Sequence, residues 1–142
     1  MIRKLQTHKE LIAWQKSMDL VVEIYKLVKL LPKTETYALS DQMRRAVISI
    51  PSNIAEGYGR NSTREYIQFL SVARGSCFEL DTQLQACGRI EYLSEKNLKS
   101  AFDLLSEIIR ILNATISTLK KKLMQQGNRK TQSLYPYDIG TL

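Results

Sequence analysis

SIPSNIAEGYGR (Ser49–Arg60) lies inside an apolar pattern of helical spacing, yet it holds a proline, two glycines and several small polar residues. Either a helix ends in this stretch or a helix runs through it. The flanking residues decide. From Tyr37 to Tyr58 the apolar positions are Leu39, Met43, Val47, Ile50, Ile54 and Tyr58, in three- and four-residue steps that do not reset at Pro51. A continuous helix, bent at the proline, is expected. Pro51 cannot donate to the Val47 carbonyl, a loss of about 3 kcal/mol unless something compensates. Ser49, Ser52, Ala55 and Gly57 would let another helix approach at the bend, and Gly57 with Gly59 would make the exit turn.

Three more helices flank this one. The first is expected over about 7–31, with Leu11, Trp14, Met18, Val21, Tyr25 and Val28 on one face and Pro32 as the stop. The third opens at NSTREY, where Ser62 is a candidate N-cap and Glu65 completes a capping box. Its stripe is Tyr66, Phe69, Leu70, Ala73, Cys77, Leu80 and Leu84. The fourth follows Ser94 and carries Leu98, Phe102, Leu105, Ile109, Leu112, Ile116, Leu119 and Leu123 until Gly127. Long amphipathic helices on short connections make an all-α, up-down-up-down four-helix bundle over 1–126. Residues 127–142 are expected to be a flexible tail.

Composition agrees with one soluble domain: 142 residues, 44% hydrophobic and 25% charged. The N-terminal stretch lacks the apolar core of a signal peptide, and no apolar run reaches the roughly 20 residues of a membrane span. A cytoplasmic protein is expected. Cys77 and Cys87 fall in one helix, where ten residues rise about 15 Å, beyond the roughly 7 Å reach of a disulfide. Both are read as buried thiols. His8 is the only histidine and is read as a surface residue, so no metal or other cofactor is expected. The net charge of +7 is uneven. Residues 1–33 hold seven basic against three acidic side chains, residues 94–142 eight against four, and the middle six against seven. A basic excess fits an anionic partner such as nucleic acid, and equally a solvated surface.

The segments RRAVISIPSNIAEGYGR (Arg44–Arg60) and FLSVARGSCFEL (Phe69–Leu80), within a match over about Leu5 to Leu119, resemble the bacterial four-helix bundle proteins encoded in intervening sequences of 23S ribosomal RNA genes. These are similar to the accessory variability determinant proteins of diversity-generating retroelements. The resemblance implies a ring-like homopentamer with a nucleic-acid-related role, and no known enzyme activity. It also implies a possible protein partner such as a reverse transcriptase. Trp14 and the 50–58 segment are candidates for the seam between copies.

Antiparallel helices about a turn at Arg60 and Asn61 would set Arg45 near Ser76 and Glu79, and Ala46 opposite Gly75. Arg45 is then read as a partner of Glu79, with phosphate contact as the alternative. Asn53, Glu56 and Arg60 share a face and are read as a hydrogen-bonded network, since acid/base chemistry needs a second titrating group or a metal. Trp14 and Tyr25 are read as core. One end of the bundle gathers Arg3, Lys4 and Lys9 with Arg60, Arg64, Lys120, Lys121 and Lys122, and this end is the candidate nucleic-acid-binding surface. Arg129 and Lys130 lie just beyond it. Base-specific readout is not expected, because no helix-turn-helix or stacked-aromatic RNA motif occurs. The alternative is a protein-interaction scaffold that binds no nucleic acid.

Overall fold

A computed structural model of the chain describes residues 5–134, with side chains as far as 127. Four helices account for most of it: α1 (Ile12–Val28), α2 (Leu39–Tyr58), α3 (Thr63–Arg89) and α4 (Glu95–Leu134), with no strand among the described residues. Each packs on its neighbours in sequence, and α1 closes the bundle against α4. Lys16 and Glu107 form an ion pair across that closing seam.

Helix α2 runs unbroken through Pro51, as its apolar period requires. Met43, Val47, Ile50, Pro51 and Ile54 are all buried. The hydrogen bond lost at the proline is offset nearby. Asn53 Nδ2 donates to the Ser49 carbonyl (2.7 Å) and to Ser49 Oγ (3.0 Å), and Ser49 Oγ bonds Ser76 Oγ of α3 at 2.8 Å. Of the small residues, Ser49 and Gly57 face α3, whereas Ser52 is exposed.

Gly57 takes part in the turn that closes α2, its carbonyl accepting from the Arg60 N–H at 3.2 Å. It lies within the helix, buried, where an added Cβ would stand 2.7 Å from Phe69 Cβ and 3.1 Å from the Tyr66 ring. Gly75, expected against Ala46, has nothing within 4 Å of its missing Cβ. The partner of Ser76 is Ser49, one turn along from the expected Arg45. Side chains lean toward the N-terminus of their own helix. In an antiparallel pair, residues that touch therefore both lie further along the sequence than residues at equal height. Arg45 accordingly does not meet Glu79; it bonds Asp41 on its own helix at 3.1 Å.

Helix α1 departs most from its expected face. Its buried residues are Ala13, Ser17, Leu20, Ile24 and Leu27, with Leu31 beyond its end. The expected stripe is this one advanced by a single position, or about 100° round the helix. Trp14, Val21 and Val28 are half-buried at the core's edge, while Met18 (38%) and Tyr25 (40%) are exposed. Tyr25 is therefore no core residue. The helix also begins later than expected. His8–Glu10 forms a 3-10 turn, Leu11 is extended, and the chain beyond Val28 passes through turn-type bonds to Leu31 before Pro32.

The caps of α3 and α4 explain their starts. Ser62 Oγ accepts from the Glu65 backbone N–H (3.2 Å). At α4, Ser94 Oγ accepts from the Asn97 N–H (3.1 Å), and Asn97 Oδ1 accepts from the Ser94 N–H (3.0 Å), which satisfies two free donors reciprocally. Glu91, at φ 68°, turns the chain between them. Tyr92 then donates from its hydroxyl to Glu35 (3.1 Å), whose other carboxylate oxygen accepts from the Leu39 N–H at the head of α2. Helix α4 does not end at Gly127 but continues to Leu134. One exposed glycine costs a helix only about 1 kcal/mol, and no proline follows before Pro136. The segment expected as a tail is thus helical as far as 134; residues 135–142 lie outside the described residues.

Cys77 and Cys87 are buried and free. Burial pushes the Cys77 thiol up to about 12, and burial with the nearby Glu35 charge raises Cys87 too. The folded state favours the neutral thiol. The stability this lends is complete below the ordinary value of 9.0 and is lost as pH rises toward about 12. A thiol-specific reagent at pH 8 will label neither cysteine in the native protein and both in denaturant, and urea-unfolding free energy will fall above pH 9. Rapid native labelling of Cys77 would contradict this burial.

The two helical glycines give an opposed pair of expectations. Gly57→Ala will lower stability by about 1–3 kcal/mol, because Phe69 Cβ is too close to its own backbone to swing aside. Gly75→Ala will raise stability by up to about 1 kcal/mol, since the methyl enters open space in a helix. Equal shifts of the same sign in chemical denaturation would refute the assignment of the close approach to Gly57.

Candidate nucleic-acid interface

The turn between α2 and α3 and the late part of α4 occupy one end of the bundle, together with the segment before α1. Tyr58 fixes part of this arrangement by donating from its hydroxyl to the Leu5 carbonyl (2.8 Å), which ties the N-terminal segment to the end of α2. The α3–α4 register follows from the Arg74 guanidinium donating to Asn113 Oδ1 (2.9 Å) and from Gly88 lying against Leu98. Continued toward the α3 N-terminus, that register brings Lys121 level with Tyr66. Helix α4, at 40 residues, spans about 60 Å and overreaches its neighbours. Among the described side chains its last deeply buried residue is Ile116; Leu119 and Leu123 are half-covered, and Lys120, Lys121 and Lys122 are exposed.

Lys9, Arg60, Arg64 and Lys120–Lys122 are all exposed, and the order and packing of the helices set them toward one end. Arg3 and Lys4 lie outside the described residues, as do the side chains of Arg129 and Lys130. Among the described residues, Lys9, Arg64 and the three lysines have no carboxylate within ion-pair distance. Arg60 is different. Its Nη2 donates to Glu56 Oε1 at 2.8 Å, and its guanidinium carbon lies 5.0 Å from the centre of the Phe69 ring. It is a neutralised cation. The network read for Asn53, Glu56 and Arg60 is in fact two separate links, Asn53 to Ser49 and Arg60 to Glu56.

Aromatic residues gather at this same end, which the sequence pattern does not reveal. Tyr58 and Tyr66 meet edge to face with centroids 6.2 Å apart. Burial and the neighbouring Tyr58 raise the Tyr66 hydroxyl above its usual range. His8 is half-buried rather than a plain surface residue, because it packs edge-on against Trp14 at 5.3 Å. The spacing signal that could have found the cluster is Tyr58, Tyr66 and Phe69 bracketing the α2–α3 turn.

Two further surfaces bear on function. The outer stripe of α1 leaves Met18, Val22 and Tyr25 at 38%, 55% and 40% exposure beside the half-buried Trp14. The 50–58 segment, by contrast, turns its apolar side chains inward, so Ile50, Pro51 and Ile54 offer nothing to a neighbouring copy. At the far end a cavity of about 340 Å³ is lined by Arg89, Glu95, Leu93, Leu98 and Phe102, among others. Among the described residues, no three histidine, cysteine or acidic side chains cluster so as to hold a metal, and no helix is long and apolar enough to cross a membrane.

Comparison with known proteins gives a consistent result. A family model described as 23S rRNA-intervening sequence protein matches residues 9–114. A crystal structure of a protein of unknown function from the S23 ribosomal protein family of Bacteroides thetaiotaomicron is similar at a TM-score of 0.69 and 27% identity, covering 74% of this chain and 98% of that one. No curated protein matches the sequence.

Proposed function

The chain belongs to the 23S rRNA-intervening sequence protein family, and we propose that within it the protein is a non-enzymatic, self-associating accessory factor that binds nucleic acid through charge. The ligand class is RNA, DNA or an RNA–protein complex, and the site of action is the cytoplasm. One observation carries this reading: Lys9, Arg64 and Lys120–Lys122, from three different elements, converge on one end with no carboxylate partners among the described residues. Unpaired lysines release counterions when they meet phosphates, so affinity must fall steeply with salt. A ring of five copies would repeat this end five times on one rim, a density of charge that one copy cannot present.

The outer stripe of α1 supports self-association. Met18, Val22 and Tyr25, beside the half-buried Trp14, form an apolar face that the bundle leaves exposed, the kind of surface that marks a protein contact. The same face favours the second reading, a scaffold that holds a protein partner such as a reverse transcriptase without touching nucleic acid.

Two measurements separate these readings. Replacing Lys120, Lys121 and Lys122 with Gln will leave helicity and stability within about 0.5 kcal/mol, since all three are exposed. It will also flatten the slope of log affinity against log salt by up to about 2 for a single strand. An unchanged slope removes the basic-end model, and absence of low-salt binding by the parent leaves the scaffold reading. In parallel, Met18→Glu with Val22→Glu will lower the mass seen by light scattering while circular dichroism stays the same. If the parent is already a monomer at micromolar concentration, self-association is wrong.

A further inference from the structure

Arg60 sits within the basic end but cannot act as its lysines do. Glu56 neutralises its charge at 2.8 Å, so it contributes little to counterion release. What remains is its shape. A guanidinium is flat and weakly hydrated, and it stacks on π-systems. The guanidinium carbon lies over the Phe69 ring, 5.0 Å from its centre. Glu56 holds an edge. The side chain nevertheless keeps 42% of its exposure, so part of it is open to solvent.

The support beneath this plane is rigid. Phe69 stands against Gly57, where an added Cβ would come within 2.7 Å of the Phe69 Cβ, so the base of this side chain is closely packed. Arg60 follows Gly59, the C-cap of α2, which fixes where its side chain starts. A plane held at its edge and backed by an aromatic ring has little conformational freedom left to lose on binding. Unpaired nucleobases stack on arginine planes as they do on aromatic rings, whereas bases inside a duplex offer no free face.

We infer that Arg60, backed by Phe69 and held by Glu56, is a stacking platform for one unpaired nucleobase, which makes single-stranded nucleic acid the preferred ligand of the basic end. This rests on the proposed charge-driven binding. The division of labour is distinct: the lysines supply affinity that depends on salt, and Arg60 supplies preference for an unstacked strand. RNA and DNA share the chemistry of an open base face.

The test uses a fluorescently labelled 12-nucleotide single-stranded RNA, its DNA equivalent and the corresponding duplexes, titrated with the full chain at several salt concentrations. The parent will bind single strands about tenfold more tightly than duplexes. Arg60→Lys, which keeps the charge and loses the plane, will abolish that preference and leave the salt slope as it was. Glu56→Gln frees the Arg60 charge and will steepen the slope for both forms. A 2-aminopurine base in the strand will be quenched by the parent and not by Arg60→Lys, with thermal unfolding confirming that both are folded. If Arg60→Lys binds single strands as the parent does, or weakens duplex and single strand equally, the platform is overturned and charge-driven binding stands. If the parent binds no form at low salt, both fall. A preference for RNA over DNA of equal sequence would assign the platform to RNA; equal binding would assign it to both.

Discussion

Where Gly57 meets Phe69, α2 and α3 come so close that a single methyl group has no room. This contact fixes the height at which the two helices face each other. From it follow the Ser49–Ser76 hydrogen bond midway along the seam and the approach of Cys87 to Met43 (3.8 Å between sulfurs) further on. It also leaves Phe69 at the surface edge, where Arg60 lies over its ring. The same absent side chain thus sets the register of the central helix pair and shapes the end of the bundle that carries the basic residues.

Pro51 depends on this seam as well. A proline in a helix interior removes one backbone hydrogen bond and crowds the preceding turn. Burial of its ring with Ile50 and Ile54, and the bonds joining Asn53, Ser49 and Ser76, offset that loss. The segment that looks least helical by composition is therefore held on two sides, by packing below and by hydrogen bonds to α3. Its apolar side chains Ile50, Pro51 and Ile54 are buried within the bundle. The apolar surface left exposed includes a second stripe on α1, beside the buried one.

In the reading proposed for this protein, function is carried by ends and edges, since the interior is filled largely by aliphatic side chains with two buried thiols. Long helices separate charges widely along the chain and then return them to the same height, because antiparallel packing places the close of one helix beside the opening of the next. The α3–α4 register sets lysines near residue 120 and an arginine at residue 64 toward the same end in this way. The overlong α4 adds to the effect by carrying its lysine run past the last buried layer at Ile116.

The sequence by itself determined the four helices, the continuity of α2 through Pro51, the Ser62 cap, the unbridged cysteines and the end of the bundle where cations collect. Each of these is local, set by periodicity, by one or two neighbouring residues or by the order of the helices. Only the tertiary structure decided which of the two apolar stripes of α1 faces inward, because both have helical spacing and differ by one position; the stripe that includes Ser17 and Ala13 is the buried one. It likewise decided that Gly57, not Gly75, is the point of close approach, and that Asp41, not Glu79, holds Arg45. A register counted from the turn assumes that level residues touch, whereas leaning side chains displace every contact by about one turn. The candidate site was legible as a set of charges. The pairing that takes Arg60 out of that set and lays it on Phe69 depends on a Glu56 carboxylate and a ring from another helix, and no spacing rule reports such a meeting.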